Sequence, residues 1–182
     1  MKKSFGKLEI RAALFAALFC ILAPHTLVLP VSPVGITLGS FLIYLAGMIL
    51  GPRLGCISIL LYLALGFVGL PVFSGYRAGA GVLFGPTGGF LIGFIPCVIA
   101  VGLSTKKAVE GLRGVIRYIM GMVAGTILLY FIGTIWYLFV YTGDSSVKSA
   151  VAACVIPFLP LDGVKILVAA VLYKPMRRLR AM

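Results

Sequence analysis

Long apolar runs, separated by short polar or glycine- and proline-rich breaks, dominate this 182-residue chain. A helix that crosses a bilayer needs about 20 mostly apolar residues. Six runs approach that length, so the sequence predicts an all-α integral membrane protein in which residues 1–182 form a single domain. The six predicted transmembrane helices are 8–24, 36–51, 54–70, 83–103, 114–141 and 158–174.

The composition favours lipid as the solvent, since 62% of the residues are hydrophobic and only 11% are charged. Soluble domains carry about 25% charged residues.

Two segments need a separate interpretation. The basic head MKKSFGKLEIR and the apolar run after it resemble a signal peptide, but five later spans favour a retained first helix. The amphipathic segment 143–157 is too short to cross a bilayer, and we expect it to form a surface or re-entrant helix.

Basic residues are unevenly distributed along the chain. Of the 16 Lys and Arg residues, all except Arg77, Lys148 and Lys165 fall on one side of a six-span topology. Loops rich in Lys and Arg face the cytoplasm, so both termini are predicted to be cytoplasmic, in a bacterial cell membrane. The net charge of +12 then follows from membrane topology, and no nucleic-acid partner is predicted.

The sequence lacks the motifs of an enzyme or a nucleotide-binding protein. It has no Walker loop, and no nucleophile–base or metal-ligand constellation. The four cysteines are isolated in apolar runs, and the single histidine, His25, is predicted to be a loop residue. We therefore predict no catalytic residue, metal or cofactor, and any uphill transport would draw on an ion gradient or on another chain.

Asp162 and Lys165 fall inside the sixth predicted span. Their i, i+3 spacing places both side chains on one face of a helix. An intramembrane ion pair is costly, and by default it indicates a functional site. A structural pair that neutralises itself between helices, or a lysine that reaches the membrane surface, is the alternative. As a functional site, the pair suits a small polar ligand that bears a carboxylate and hydrogen-bonding groups.

The central stretch LPVFSGYRAGAGVLFGPTGGF, residues 70–90, is rich in glycine. Irregular backbone at membrane depth is tolerated only where protein buries it or where it lines a cavity. We therefore predict an outward-facing pocket wall, and expect residues 85–93 to be a small-residue face for helix packing. The proline-rich segment 24–37 could cover the pocket as a lid. The predicted wall residues are Phe73, Gly75, Tyr76 and Arg77.

The first span contains two stripes of alanines at four-residue spacing. They are Ala12 with Ala16, and Ala13 with Ala17. Small residues at this spacing let two helices approach closely. The partner helix could belong to this chain or to another protein.

The segments GLPVFSGYRAGAGVLFGPTGGFLIGF and PFLPLDGVKILVAAVL resemble the BioY family, the biotin-binding S components of energy-coupling factor (ECF) transporters. The resemblance extends over nearly the whole chain. It implies a six-helix membrane protein that binds biotin near the outer face. It also implies partners: a coupling transmembrane subunit and two ATP-binding-cassette ATPases that use the ATP, with Ala13 and Ala17, or Ala12 and Ala16, as the contact with the coupling subunit.

The same resemblance implies that Asp162 and Lys165 contact the ligand. Asp162 would accept from the ureido N–H groups, and Lys165 would donate to the ureido carbonyl or neutralise Asp162. Aromatic side chains would pack on the biotin rings, and Arg77 would meet the valerate carboxylate at the pocket mouth. The residues expected to pack on the rings are Tyr44, Phe73 and Tyr137.

The chain departs from the family pattern at several positions. At the start of the second helix only Thr37 carries over, because Gly35 and Gly39 replace the expected Pro and Gln. Tyr76 and Arg77 stand where smaller residues are expected.

Two alternative functions are considered beside this one. The first is a self-sufficient ion-coupled transporter, which an internal repeat would favour, and the second is a membrane scaffold without a ligand. No such repeat is visible in the sequence.

Overall fold

The computed structural model describes residues 3–27, 36–105, 111–140, 146–173 and 175, and it is a helical bundle with one very short strand pair. The helices are α1 (Lys3–Leu22), α2 (Gly39–Val68), α3 (Ala80–Leu83), α4 (Gly88–Ser104), α5 (Gly111–Val140), α6 (Val147–Cys154) and α7 (Leu159–Val171). Strands β1 (Thr26–Leu27) and β2 (Ile36–Thr37) pair antiparallel.

Helix α2 is broken at Gly51, where the sequence predicts a tight turn between the second and third spans. Gly51 has φ 76° and ψ −176°, which is not helical, and Pro52 follows it. A Cβ placed on Gly55 would lie 3.7 Å from the carbonyl oxygen of Ala46. In an unbroken helix these residues would be about 13 Å apart along the axis. The two halves of α2 therefore fold back on each other as a helical hairpin, which confirms the predicted break.

The other predicted spans coincide with helices, although their ends shift. The span 83–103 begins later, at Gly88, because Gly85 and Pro86 interrupt the helix after the short α3. The predicted short helix within 143–157 is α6, and α7 corresponds to the sixth span.

Not every helix is long and apolar enough to cross a membrane by itself. Among the described residues, α5 satisfies this condition, α2 satisfies it when its two halves are counted together, and α6 with α7 would form a third candidate bent by 43°. Helix α4 is apolar but has 17 residues. The number of six crossings and the cytoplasmic location of both termini stay predictions. The tip of the predicted lid, residues 28–35, lies outside the described residues.

Glycines let α4 pack closely against its two main neighbours, α5 and α2. A Cβ on Gly93 would lie 2.9 Å from the Leu129 side chain, and one on Gly125 would lie 3.0 Å from the Cys97 carbonyl oxygen. On the other side of α4, a Cβ on Gly102 would lie 2.8 Å from the backbone of Gly51. Close backbone approach is a common basis of helix association in membranes, and it places α4 at the centre of the bundle.

Replacement of Gly102 by alanine should destabilise the bundle, because the added methyl group meets backbone atoms of Gly51 and Pro52, which cannot rotate away. Overpacking of this kind costs about 1–3 kcal/mol. The matched control is Gly163→Ala in α7, where a Cβ meets nothing within 4 Å and alanine favours the helix by about 1 kcal/mol. Thermal midpoints in detergent should fall for Gly102→Ala and stay equal or rise for Gly163→Ala. Equal midpoints for the two variants would contradict the close contact.

Candidate ligand-binding site

A partly enclosed cavity lies where α2, α4, α5 and α7 meet the segment that follows α2. Its volume is about 80 Å³, several times the roughly 10–15 Å³ that a single water molecule requires. Most of its wall is apolar and aromatic, with a few polar side chains. The lining residues are Ala23, Thr37, Ser40, Tyr62, Phe73, Ser74, Val82, Thr87, Phe90, Leu91, Phe94, Leu129, Tyr130, Phe158, Asp162 and Lys165.

Asp162 is the buried charge of the cavity, with 5% of its surface exposed. It lies in the first turn of α7, behind Pro160, where the helix dipole stabilises a negative charge. Its Oδ1 accepts from Ser40 Oγ at 2.9 Å, and its Oδ2 accepts from the Tyr130 hydroxyl at 2.6 Å. The carboxylate thus joins α7 to α2 and α5.

Lys165 forms the predicted ion pair with Asp162, with 2.8 Å between Nζ and Oδ1. The ammonium also donates to the Thr37 carbonyl oxygen at 2.8 Å and to Ser40 Oγ at 2.9 Å. An ammonium group has three N–H donors, and these three partners use all of them. Lys165 therefore does not reach the membrane surface: it neutralises Asp162 and ties α7 to the start of α2.

The hydrogen-bonding capacity that remains in this network accepts rather than donates. A carboxylate has about four acceptor positions, and Asp162 uses three of them, two on Oδ1 and one on Oδ2. The Tyr130 oxygen donates its only proton to Asp162 and keeps its lone pairs. This side of the cavity is therefore prepared for a neutral N–H donor group of a ligand. A ligand carboxylate, which was expected at this pair from the sequence, would meet the Asp162 carboxylate with no free ammonium proton.

The segment after α2 forms the other wall of the cavity. It ends α2 at Gly69, which has φ 116°, and then makes a tight turn in which Phe73 pairs with Arg77. Phe73 is fully buried and lines the cavity. The turn is attached to the residues after α1, because the Gly75 N–H donates to the Pro24 carbonyl oxygen at 3.0 Å.

Only some of the predicted site residues line the cavity: Asp162, Lys165, Thr37 and Phe73 do. Tyr44 is buried elsewhere, where its hydroxyl pairs with Thr126 Oγ1 at 2.6 Å. Tyr137 is also buried and away from the cavity wall.

Three other predicted residues lie on the outer side of the Phe73–Arg77 turn. Gly75 and Tyr76 adopt positive φ angles of 72° and 59°. Tyr76 is exposed and its ring packs edge-on against His25, a loop residue as predicted. The Arg77 Nε donates to the Ser74 carbonyl oxygen at 3.1 Å. The turn thus directs Phe73 inward and these residues outward, so their contact with a ligand stays a prediction.

Sequence reasoning missed Ser40 and Tyr130, which complete the ion-pair network. Each is one of many hydroxyl-bearing residues in apolar runs, and only the packing of α2 and α5 against α7 brings them to Asp162. A weak signal exists for Ser40, since it lies one turn after Thr37, which the sequence selected.

The two alanine stripes of α1 face different surroundings. Ala12 and Ala16 are buried in the bundle, and Ala13 and Ala17 are exposed on its outer surface. The stripe available to another protein is therefore Ala13 with Ala17.

A membrane bundle that holds a satisfied ion pair at an apolar cavity is the architecture of a protein that binds a small polar solute. The family model described as the BioY family matches residues 2–182. The biotin transporter BioY of Thermotoga maritima is 34% identical over 170 residues, which cover 93% of this chain and 95% of that protein. The probable biotin transporter BioY of Pyrococcus horikoshii is 37% identical over 160 residues, which cover 88% of this chain and 90% of that protein.

The fold also matches a known structure. A crystal structure of the S-component for biotin from an ECF-type ABC transporter aligns with a TM-score of 0.86 at 28% identity, and the alignment covers 100% of this chain and 95% of that one. The chain belongs to the BioY family, which confirms the resemblance seen in its sequence.

Removal of one partner of the ion pair should destabilise the protein more than removal of both charges. Lys165→Met leaves a buried carboxylate without its cation, which costs about 3–5 kcal/mol. The double variant Asp162→Asn/Lys165→Met has no buried charge and should recover part of that loss. Chemical denaturation in detergent measures both. A double variant no more stable than Lys165→Met would show that the two charges do not interact energetically.

Proposed function

We propose that this chain is the biotin-binding membrane subunit, or S component, of an ATP-driven ECF-type uptake transporter. It binds biotin from the outside in the cavity described above, near the outer face. It then delivers the vitamin inward together with a coupling membrane subunit and two ATPases. The observation that carries this proposal is the buried Asp162–Lys165 ion pair in an apolar cavity, in a chain whose relatives are named biotin transporters.

The ureido ring of biotin suits the polar side of the cavity. An N–H of the ring can donate to the acceptor position left on Asp162 Oδ2 or to the Tyr130 oxygen. Lys165 acts through Asp162, because its protons are used by protein acceptors. Of the two roles expected for Lys165, the geometry therefore supports neutralisation over a bond to the ureido carbonyl.

The apolar side of the cavity suits the sulfur-containing ring and the aliphatic chain. Phe73, which was expected to pack on the rings, lines this part of the wall together with Phe90 and Phe94. Phe90 and Phe94 would take the place expected for Tyr44 and Tyr137. The valerate carboxylate would then lie toward the turn that carries Arg77. The hydrogen bond from Arg77 Nε to the carbonyl oxygen of Ser74, a lining residue, supports this orientation of the ligand.

Partner contact is assigned to the outer face of α1. Ala13 and Ala17 lie on an exposed stripe where a second helix can approach closely. Burial of Ala12 and Ala16 leaves Ala13 and Ala17 as the stripe that the coupling subunit would contact. The ATPases would supply the energy, in keeping with the absence of a Walker loop in this sequence.

Asp162→Asn should weaken biotin binding by about 10- to 150-fold, since a hydrogen bond to a charged group contributes about 1.5–3 kcal/mol. Equilibrium binding of labelled biotin to the purified protein in detergent measures this. The control is Tyr118→Phe, which removes a buried hydrogen bond to the Tyr44 carbonyl oxygen away from the cavity. Its affinity should match the wild type. Equal affinities for Asp162→Asn and wild type would exclude Asp162 as a ligand contact.

Ala13→Leu and Ala17→Leu should abolish biotin uptake and leave biotin binding unchanged, because leucine prevents close approach of a second helix. Uptake is measured in cells that contain the coupling subunit and ATPases, and binding with the purified protein. The matched control is Ala64→Leu, at an exposed alanine of α2, which should transport normally. Normal uptake by the α1 variants would place the coupling contact elsewhere.

A further inference from the structure

The Tyr62 hydroxyl is a polar group of the cavity that the ion-pair network does not include. Tyr62 lies in the second half of α2, is 1% exposed and lines the cavity. Its ring is fixed between Phe19 and Phe73, with centroid distances of 5.5 and 5.6 Å. Within the part of the chain that the structure describes, no hydrogen bond is made by its hydroxyl.

This hydroxyl faces open space and is not enclosed by apolar atoms. Among the described residues, Thr134 Oγ1 is the one enclosed side-chain oxygen that lacks a partner. The Tyr62 oxygen also lacks a partner but is not enclosed, so it must touch open space. The open space that Tyr62 lines is the cavity. A buried phenol that lines a cavity and has no protein partner is available for a hydrogen bond to a ligand.

Most donors around the cavity are already used by the protein. The protons of Lys165, Ser40 and Tyr130 go to protein acceptors, as described above. Thr26 gives its proton to the Pro24 carbonyl oxygen, so Ser74 donates to Thr26 in the pair between their hydroxyls. Among described lining residues, unused hydroxyl protons remain on three side chains, and Tyr62 is the most buried and the most tightly packed. The other two are Thr37 and Thr87.

Tyr62 lies at the depth of the ion-pair network. The two halves of α2 are antiparallel, with Gly55 against Ala46. Ser40 lies six residues before Ala46, and Leu61 lies six residues after Gly55. Leu61 and its neighbour Tyr62 therefore lie near the level of Ser40 along the helix axes. Asp162 and Tyr62 thus both line the cavity at a similar level, where one ligand ring could meet both.

We propose that Tyr62 is a ligand-binding residue whose hydroxyl donates to the ureido carbonyl oxygen of biotin. This assignment rests on the proposed function. It divides the recognition of the ureido group between residues of three helices. Asp162 of α7 and Tyr130 of α5 accept from N–H, and Tyr62 of α2 donates to the carbonyl in place of Lys165. The cavity then selects a ring that has a donor and an acceptor side by side.

The test compares Tyr62→Phe with wild type by binding of labelled biotin to the purified full chain. The variant should bind about 2- to 12-fold more weakly, the equivalent of one neutral hydrogen bond of about 0.5–1.5 kcal/mol. Its thermal midpoint without ligand should be unchanged or higher, because the lost hydroxyl had no protein partner and the ring packing is kept. Tyr118→Phe serves as the control and should show the reverse, a lower midpoint with unchanged affinity.

Two biotin analogues identify the atom that Tyr62 contacts. With a thiocarbonyl analogue, in which a weak acceptor replaces the ureido oxygen, the penalty of Tyr62→Phe should nearly disappear. With an analogue whose valerate carboxylate is a carboxamide, the penalty should persist. A penalty that persists with the thiocarbonyl, or that disappears with the carboxamide, would overturn the assignment.

The outcomes separate this proposal from the proposed function. If wild type binds biotin and Tyr62→Phe binds it equally well, Tyr62 is not a ligand contact and the biotin function stands. If folded wild type does not bind biotin, the proposed function itself fails, and with it the assignment of Tyr62.

Discussion

The ion pair between Asp162 and Lys165 is the interaction on which the arrangement of this bundle depends. A charge in an apolar bundle is stable only when it is paired and its remaining hydrogen-bonding positions are satisfied. Here the two side chains obtain partners from α2 and α5, through Ser40, Thr37 and Tyr130. The requirement to satisfy two charges therefore determines which helices surround α7, and these helices are the walls of the cavity.

The same network explains why the cavity has a distinct chemical preference. Because the ammonium of Lys165 bonds only protein acceptors, it has no N–H left to donate to a ligand. The cavity consequently offers acceptors at the ion pair and an unused phenolic donor at Tyr62. An arrangement of this kind distinguishes ligands by the positions of donors and acceptors on a small ring.

Much of the fold could be predicted from the sequence because hydropathy and glycine–proline breaks are local properties. The turn at Gly51 and the short helix α6 follow from such patterns, and both are present. Asp162 and Lys165 were also recognisable, since an acidic and a basic residue one helical turn apart are conspicuous in an apolar run. Ser40 and Tyr130 were not, because nothing in their own neighbourhood distinguishes them from other hydroxyl-bearing residues.

The sequence by itself determined that lipid surrounds this protein, where its helices approximately lie, and that Asp162 and Lys165 form a pair. Each of these depends on residue type and spacing along one segment. The tertiary structure decided which side chains share the cavity. It turned Phe73 inward and Tyr76 outward within one tight turn, and it buried Ala12 while leaving Ala13 exposed. These outcomes depend on the direction in which each backbone segment meets its neighbours, and that direction is set by packing between distant parts of the chain.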